Sequence, residues 1–240
     1  MADEAGKAVP AFVKESVFGT WFLGTNTWYD HVVAVALDDL QRFLPRERGS
    51  YPVVLDAGCG RGRSLKFLAE RFHPHRIVGV DIDPRMPGWA GPETAALSCA
   101  VDLRVTDASD TGLPDASVDL VFCHQTLHHL VAQEAALAEF FRVLRPGGLL
   151  LMAESTRKYI RSWMIRLLFR HPMEVQRSAE EYLAMVRAAG FMVPEASVSL
   201  PYLWWSRWDL GTFEWLGFPL PKRREETLVN AVARKPGDLH

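Results

Sequence analysis

The chain has 240 residues, 48% of them hydrophobic, 23% charged and 11% aromatic. These are the proportions of an ordinary soluble globular protein, and they exclude a disordered chain, a collagen and a coiled coil. Twenty-seven Lys and Arg against 29 Asp and Glu leave a formal charge of −2, which gives no reason to expect a nucleic-acid partner.

At this length one large α/β domain over 1–240 is expected, with ample core and no need of disulfide or metal staples. Cys59, Cys99 and Cys123 show no CxxC spacing and fall in or beside predicted strands, the usage of a reducing cytosol. The opening MADEAGKAVPAF has no basic region followed by an apolar run, and no stretch reaches about 18 apolar residues, so a cytoplasmic protein that does not span a membrane is expected.

In chain order, residues 1–48 read as an N-terminal helical cap. Thr27 with Asp30 suggests a capping box, Val32, Val35, Ala36, Leu40, Phe43 and Leu44 recur at helical spacing, and Pro45 stops the run. From residue 53 short β-rich runs alternate with helical segments. The strands are VVLDA (53–57), RIVGVDI (76–82), CAVDLRVT (99–106), VDLVFC (118–123) and GLLLMAE (148–154). Helices are predicted at 64–72 and from Gln133 to Leu144, the second closed by Pro146-Gly147-Gly148. Such an alternation gives a parallel sheet with helices on both faces, because parallel strands need crossover connections. Downstream, 178–191 reads as a capped helix ending at Gly190, and 191–200 and 227–235 as two more strands.

The strongest local signal is VVLDAGCGRGRSL, where a buried strand ends at Asp56 and passes through Gly58, Gly60 and Gly62 into a helix. Glycines let backbone approach a ligand closely, and the helix start offers unpaired N–H groups. A second acid, Asp81, ends the next strand 21 residues after Gly60, where a carboxylate can accept both hydroxyls of a ribose. A dinucleotide fingerprint is incomplete, because Arg63 stands where the third glycine belongs and Asp56 would repel a pyrophosphate. An acid at that place suits a cation, such as the amino-acid end of S-adenosylmethionine.

With VVLDAGCGRG, VGVDIDP, VTDASDTGLPDASVDLVFC and RVLRPGGLLLMAES in this order over about residues 50–155, the sequence resembles the class I S-adenosylmethionine-dependent methyltransferases, in the branch with the quinone and other small-molecule enzymes. The resemblance implies a Rossmann-like α/β fold, with a seven-stranded, mostly parallel sheet whose last strand is antiparallel. It also implies S-adenosylmethionine as cofactor and S-adenosylhomocysteine as its product. Cofactor contacts then fall on Asp56, Gly58, Cys59, Gly60, Asp81, Ile82, Asp107, Ala108 and His124. In that set Asp107 would take the adenine amine beside the Ala108 backbone, and Ile82 would pack on the ring.

His124, His128 and His129 follow the fourth strand. The four-residue spacing of His124 and His128 invites a metal, but no third ligand has a fixed spacing and His124 lies at the strand end, so no metal is expected. His128 and His129 diverge by about 100° on a helix, so one at most points into a site. His124 is the candidate catalytic base; a base is optional in displacement from a sulfonium.

The acceptor side is expected from Trp28, Tyr29, His128, Trp204, Trp205 and Trp208, because four of the eight tryptophans fall in 201–218. Six basic residues against Glu174 give 157–177 a local +5, leaving −7 elsewhere. Ile160, Trp163, Met164 and Leu167 would form one stripe on a helix over 156–171, either docked on the domain or touching membrane peripherally. The segments 156–177 and 200–222 would form a C-terminal lid within a 156–240 substrate side, beyond a 50–155 cofactor core. The expected function is methyl transfer to a small, apolar, lipidic or aromatic acceptor. The alternatives are a catalytically silent cofactor-binding adaptor and, disfavoured by Asp56 and Arg63, a nucleotide-linked oxidoreductase.

Overall fold

The computed structural model describes residues 13, 15–45, 50–203, 212–218 and 226–237. Strands β1 (Val53–Ala57), β2 (Arg76–Asp81), β3 (Ala100–Val105), β4 (Val118–His124), β5 (Leu144–Ser155), β6 (Val198–Ser199) and β7 (Leu228–Arg234) form one sheet in the order β3-β2-β1-β4-β5-β7-β6. The first five are parallel, and β7 runs antiparallel to both β5 and β6. The predicted strand at 191–200 shrinks to β6 and a single bridge from Met192 to Arg234.

Alternation along the strands feeds two cores. In β4, Leu120 and Phe122 join one apolar cluster while Val121 and Cys123 join the other. The first cluster is closed by α3 (Ala34–Gln41) and α4 (Arg63–Phe72) through Leu37, Leu40, Leu65 and Leu68. The second is closed by α6 (Gln133–Val143) and α9 (Ala179–Ala188) through Leu137, Phe140, Tyr182 and Val186. Ser178 and Glu181 make the capping box that starts α9.

Three local features differ from the sequence reading or are absent from it. The cap near the chain start is Thr25 rather than Thr27: its hydroxyl accepts the Trp28 N–H at 3.3 Å and opens α2 (Asn26–Trp28). A π-helical stretch, Tyr29–Val33, then leads into α3, with both of its end residues buried. Second, Met86–Thr94 forms α5, although it contains Pro87, Gly88, Gly91 and Pro92. It holds because Met86, Ala90 and Thr94 are buried along one side, a tertiary gain that overrides poor propensity.

Third, the single apolar stripe over 156–171 does not exist. Ser162, in extended backbone, divides it into α7 (Arg157–Ile160) and α8 (Trp163–Leu168). Ile160 and Ile165 face inward, whereas Trp163 and Leu167 remain 55% and 66% exposed. α8 lies beside α1 (Val17–Phe22): Phe169 packs edge-on against Phe18 and Phe22, and the Ser16 hydroxyl donates to Leu168 O. A short α10 (Thr212–Trp215) precedes β7.

Candidate active site

The strand order reverses between β1 and β4, and ligands of such sheets bind outside the carboxyl ends at that point. There the β1–α4 loop meets the segment after β4. Gly58 has φ 81°, and a Cβ on it would lie 2.2 Å from Thr126 Oγ1, so only glycine permits this closure. Thr126 donates its hydroxyl to Ala57 O at 2.9 Å from the other side of the gap.

Asp56 is buried near the end of β1 and accepts the Ser64 hydroxyl at 2.6 Å. Burial pushes its carboxyl up to about 7 despite that hydrogen bond, and the nearby Asp81 charge adds to the rise. Asp81, at the end of β2, takes the Gly60 N–H on Oδ2 at 2.8 Å and the Asp83 N–H on Oδ1 at 2.9 Å. Its carboxyl is also raised by burial, against the pull of those N–H groups. Asp107 accepts the N–H and hydroxyl of Ser109 on one oxygen, a turn-forming arrangement, while the residue lines the same cleft. Cys59 is buried, with its N–H given to Val80 O at 3.0 Å.

These groups open on one cavity of about 1170 Å³, which takes in Asp56, Gly58, Cys59, Gly60, Asp81, Ile82, Asp107, Ala108 and His124 together with Trp28, Tyr29 and His128. Trp204, Trp205 and Trp208, and most of the expected 200–222 lid, lie outside the described residues. The far wall comes from Phe18 and Phe22 of α1 and from Ile165, Leu168 and Phe169 in and after α8. Tyr29 also belongs to a core cluster, beneath the Arg63 guanidinium at 4.3 Å from its ring.

His124 ends β4, its ring parallel to Phe122 at 5.7 Å and tilted against Trp28 at 5.8 Å. Its Nε2 is shielded from solvent with no hydrogen-bond partner among the described residues. Burial pushes the imidazole down to about 4, so it is neutral at pH 7.

His128 sits in a 3₁₀ turn, Leu127–His129, with Nδ1 at 2.7 Å from Glu154 Oε2. The other Glu154 oxygen accepts the Thr126 and Leu127 N–H groups, both at 2.8 Å. The expected divergence of His128 and His129 fails, because they lie on this tight turn rather than an α-helix. Their rings sit 4.2 Å apart, and both line the cavity. Ser64 and Glu154 were not singled out from the sequence, Ser64 because it reads as a helix start and Glu154 because it ends an apolar strand.

Residues 55–152 match the methyltransferase-domain family. Over this segment the chain is similar to the class I S-adenosylmethionine-dependent methyltransferases. Over 146 residues the chain is 36% identical to phosphoethanolamine N-methyltransferase 1 of Arabidopsis thaliana, a stretch that is 60% of this chain but only 27% of that relative's length. Its fold superposes on a chain of the complex between the Haloferax volcanii Trm112 methyltransferase activator and a methyltransferase, with TM-score 0.67, 22% identity and coverage of 93% and 97% of the two chains. It also superposes on the N-methyltransferase NodS of Bradyrhizobium japonicum in complex with S-adenosyl-L-homocysteine, with TM-score 0.62, 19% identity and coverage of 90% and 91%.

Proposed function

We propose that this methyltransferase moves a methyl group from S-adenosylmethionine to a small acceptor with an apolar or aromatic body. The observation that carries this reading is the continuity of one cavity from the Asp56–Asp81 carboxylates to an aromatic and aliphatic wall on α1 and α8. The donor set suits the cofactor. Asp81 is held for a ribose diol, Ile82, Asp107 and Ala108 for adenine, and the buried Asp56 for a cationic amino-acid end.

When bound, the cofactor supplies a methyl group on a sulfonium, which an acceptor heteroatom attacks in line. The protein's part is then mainly orientation and exclusion of water, which together can supply roughly 7 to 11 kcal/mol. His124, neutral at pH 7, lines the cavity, where its imidazole has one nitrogen able to accept a hydrogen bond from an acceptor O–H or N–H. Its depressed pKa makes it a weak base at pH 7.

The acceptor reading extends to where the acceptor is met. On α1, Val17 and Trp21 are 90% and 62% exposed, and on the adjoining α8 Trp163 and Leu167 are 55% and 66% exposed. Lys158, Arg161, Arg166 and Arg170, in and beside α7 and α8, are exposed as well. Apolar side chains ringed by cations favour peripheral contact with an anionic membrane. No helix among the described residues is long and apolar enough to cross one.

The deciding experiment incubates purified protein with labelled S-adenosylmethionine and an extract of its source cells, followed by mass spectrometry of the labelled products. A labelled lipophilic small molecule is expected. A strongly hydrophilic product removes the apolar-acceptor reading, and label confined to protein or nucleic acid removes the small-molecule one.

A further inference from the structure

Beyond the cofactor cleft, three imidazoles meet where the turn after β4 touches the segment between α8 and α9. His128 and His129 come from the 3₁₀ turn, and His171 comes from a stretch without regular structure. Ring centroids are 4.2 Å apart for His128 and His129, 5.1 Å for His128 and His171, and 4.8 Å for His129 and His171. One nitrogen from each ring lies within 4.8 Å of the others. Neither His129 nor His171 has a side-chain hydrogen bond among the described residues, although all three line the cavity.

We infer that His128, His129 and His171 form a binding site for one divalent transition-metal ion of the zinc class, with an open coordination position facing the cavity. Three neutral imidazoles without a carboxylate in the set suit zinc, cobalt, nickel or copper rather than magnesium or calcium. Three histidines and a vacant fourth place are also a recurring zinc arrangement.

The surroundings match what such a site needs. Glu154 holds Nδ1 of His128, which leaves Nε2 as the remaining nitrogen, and a carboxylate behind a ligating imidazole sets its tautomer and raises its basicity. The turn itself is anchored, since Gln176 donates to His128 O at 2.8 Å and Gln133 donates to Leu127 O at 2.9 Å.

Tetrahedral zinc–nitrogen bonds of about 2.0–2.1 Å place ligand nitrogens roughly 3.4 Å apart, so the trio must draw in by an ångström or so. His171, on irregular backbone, is the residue able to make that adjustment. A bound ion would tie the lid segment to the turn after β4 and present a Lewis acid to the cavity. The inference does not depend on the acceptor or on turnover.

The test is a titration of untagged, chelator-stripped full-length protein with Co²⁺, read by its visible absorption, followed by competition with Zn²⁺. One equivalent should bind with the intense spectrum of a tetrahedral ion, and zinc should displace it. His129→Ala and His171→Ala should each weaken binding by more than the roughly 10–100-fold that loss of a supporting partner costs, and Glu154→Gln should fall within that range. Far-ultraviolet circular dichroism and S-adenosylhomocysteine affinity should be unchanged in the His129 and His171 variants. The inference is overturned if wild-type protein binds Co²⁺ no better than those two variants, or if the spectrum is the faint one of an octahedral, solvent-ligated ion.

Discussion

Asp81 Oδ2 accepts the Gly60 N–H at 2.8 Å, so the carboxylate that ends β2 also clamps the loop that follows β1. One side chain therefore shapes the glycine loop and faces the position proposed for the ribose. Asp81→Asn keeps the size of the side chain but loses the charge, and hydrogen bonds to a charged group contribute about 1.5–3 kcal/mol each. S-adenosylhomocysteine affinity should fall at least tenfold by calorimetry. Asp81→Ala, which also frees the loop, should fall further. Wild-type affinity in Asp81→Ala would end the ribose assignment.

If Asp56 holds the cationic end of the cofactor as proposed, cofactor affinity should depend on pH. Its carboxyl titrates at about 7 in the protein against an ordinary 3.8, chiefly through burial. A raised acid stabilises the fold most below the unfolded value, and that contribution is lost as pH rises through 4 to 7. A cationic ligand end favours the ionised form, so binding below pH 7 must expel a proton. Affinity for S-adenosylhomocysteine should therefore drop as pH falls from 7 to 5, approaching tenfold per unit, with proton release visible as a dependence of binding enthalpy on buffer. Asp56→Asn should bind weakly and with little pH dependence, while its ligand-free melting temperature above pH 7 exceeds that of wild type. A flat wild-type profile would place the ligand's charge away from Asp56.

The parts of this site that the sequence displays are those in which local pattern and tertiary role agree. Continuous apolar runs ending at Asp56 and Asp81 mark β1 and β2 because buried parallel strands admit little else. The residues that escaped are held by distant partners. α5 carries two prolines and two glycines, and its Met86 and Ala90 are buried against the rest of the domain, a tertiary contribution that local propensity does not display. Ser162 reads as one more position on a helical stripe, yet after its extended backbone Trp163 is exposed while Ile165 is buried against the cavity. His171 stands 42 residues after His129, and no sequence spacing announces that the two rings lie 4.8 Å apart.

Gly58 offers a test of the loop that needs no ligand. At φ 81° an alanine enters a left-handed backbone state, and its Cβ would meet Thr126 at 2.2 Å. The backbone cost is roughly 1–2 kcal/mol and overpacking adds typically 1–3 kcal/mol. Gly58→Ala should therefore lower unfolding free energy by about 2–5 kcal/mol in urea titration. Combining it with Thr126→Ser, which removes the Thr126 Cγ2 methyl 2.7 Å from the added carbon, should recover part of the packing loss. If Gly58→Ala is as stable as wild type, the two segments do not close as described.

The exposed apolar side chains of α1 and α8 yield the last prediction. Val17, Trp21, Trp163 and Leu167 are exposed on these two adjoining helices, and Arg161 and Arg166, beside and within α8, are exposed too. A basic residue near an anionic bilayer contributes on the order of 1 kcal/mol, and salt screens that attraction within a Debye length of about 10 Å at 0.1 M. Wild-type protein should therefore sediment with phosphatidylserine-rich vesicles at low ionic strength and be released as salt is raised. Arg161→Glu combined with Arg166→Glu should weaken the association by roughly 30-fold or more at low salt, with a flatter salt dependence. Trp163→Ser should weaken it by removing apolar contact, leaving the salt dependence in place. Both sets of changes lie outside the carboxylates proposed to hold the cofactor, so S-adenosylhomocysteine affinity should hold while vesicle binding falls. Wild-type protein that stays in the supernatant at low ionic strength would refute the membrane contact and leave the apolar face to another partner.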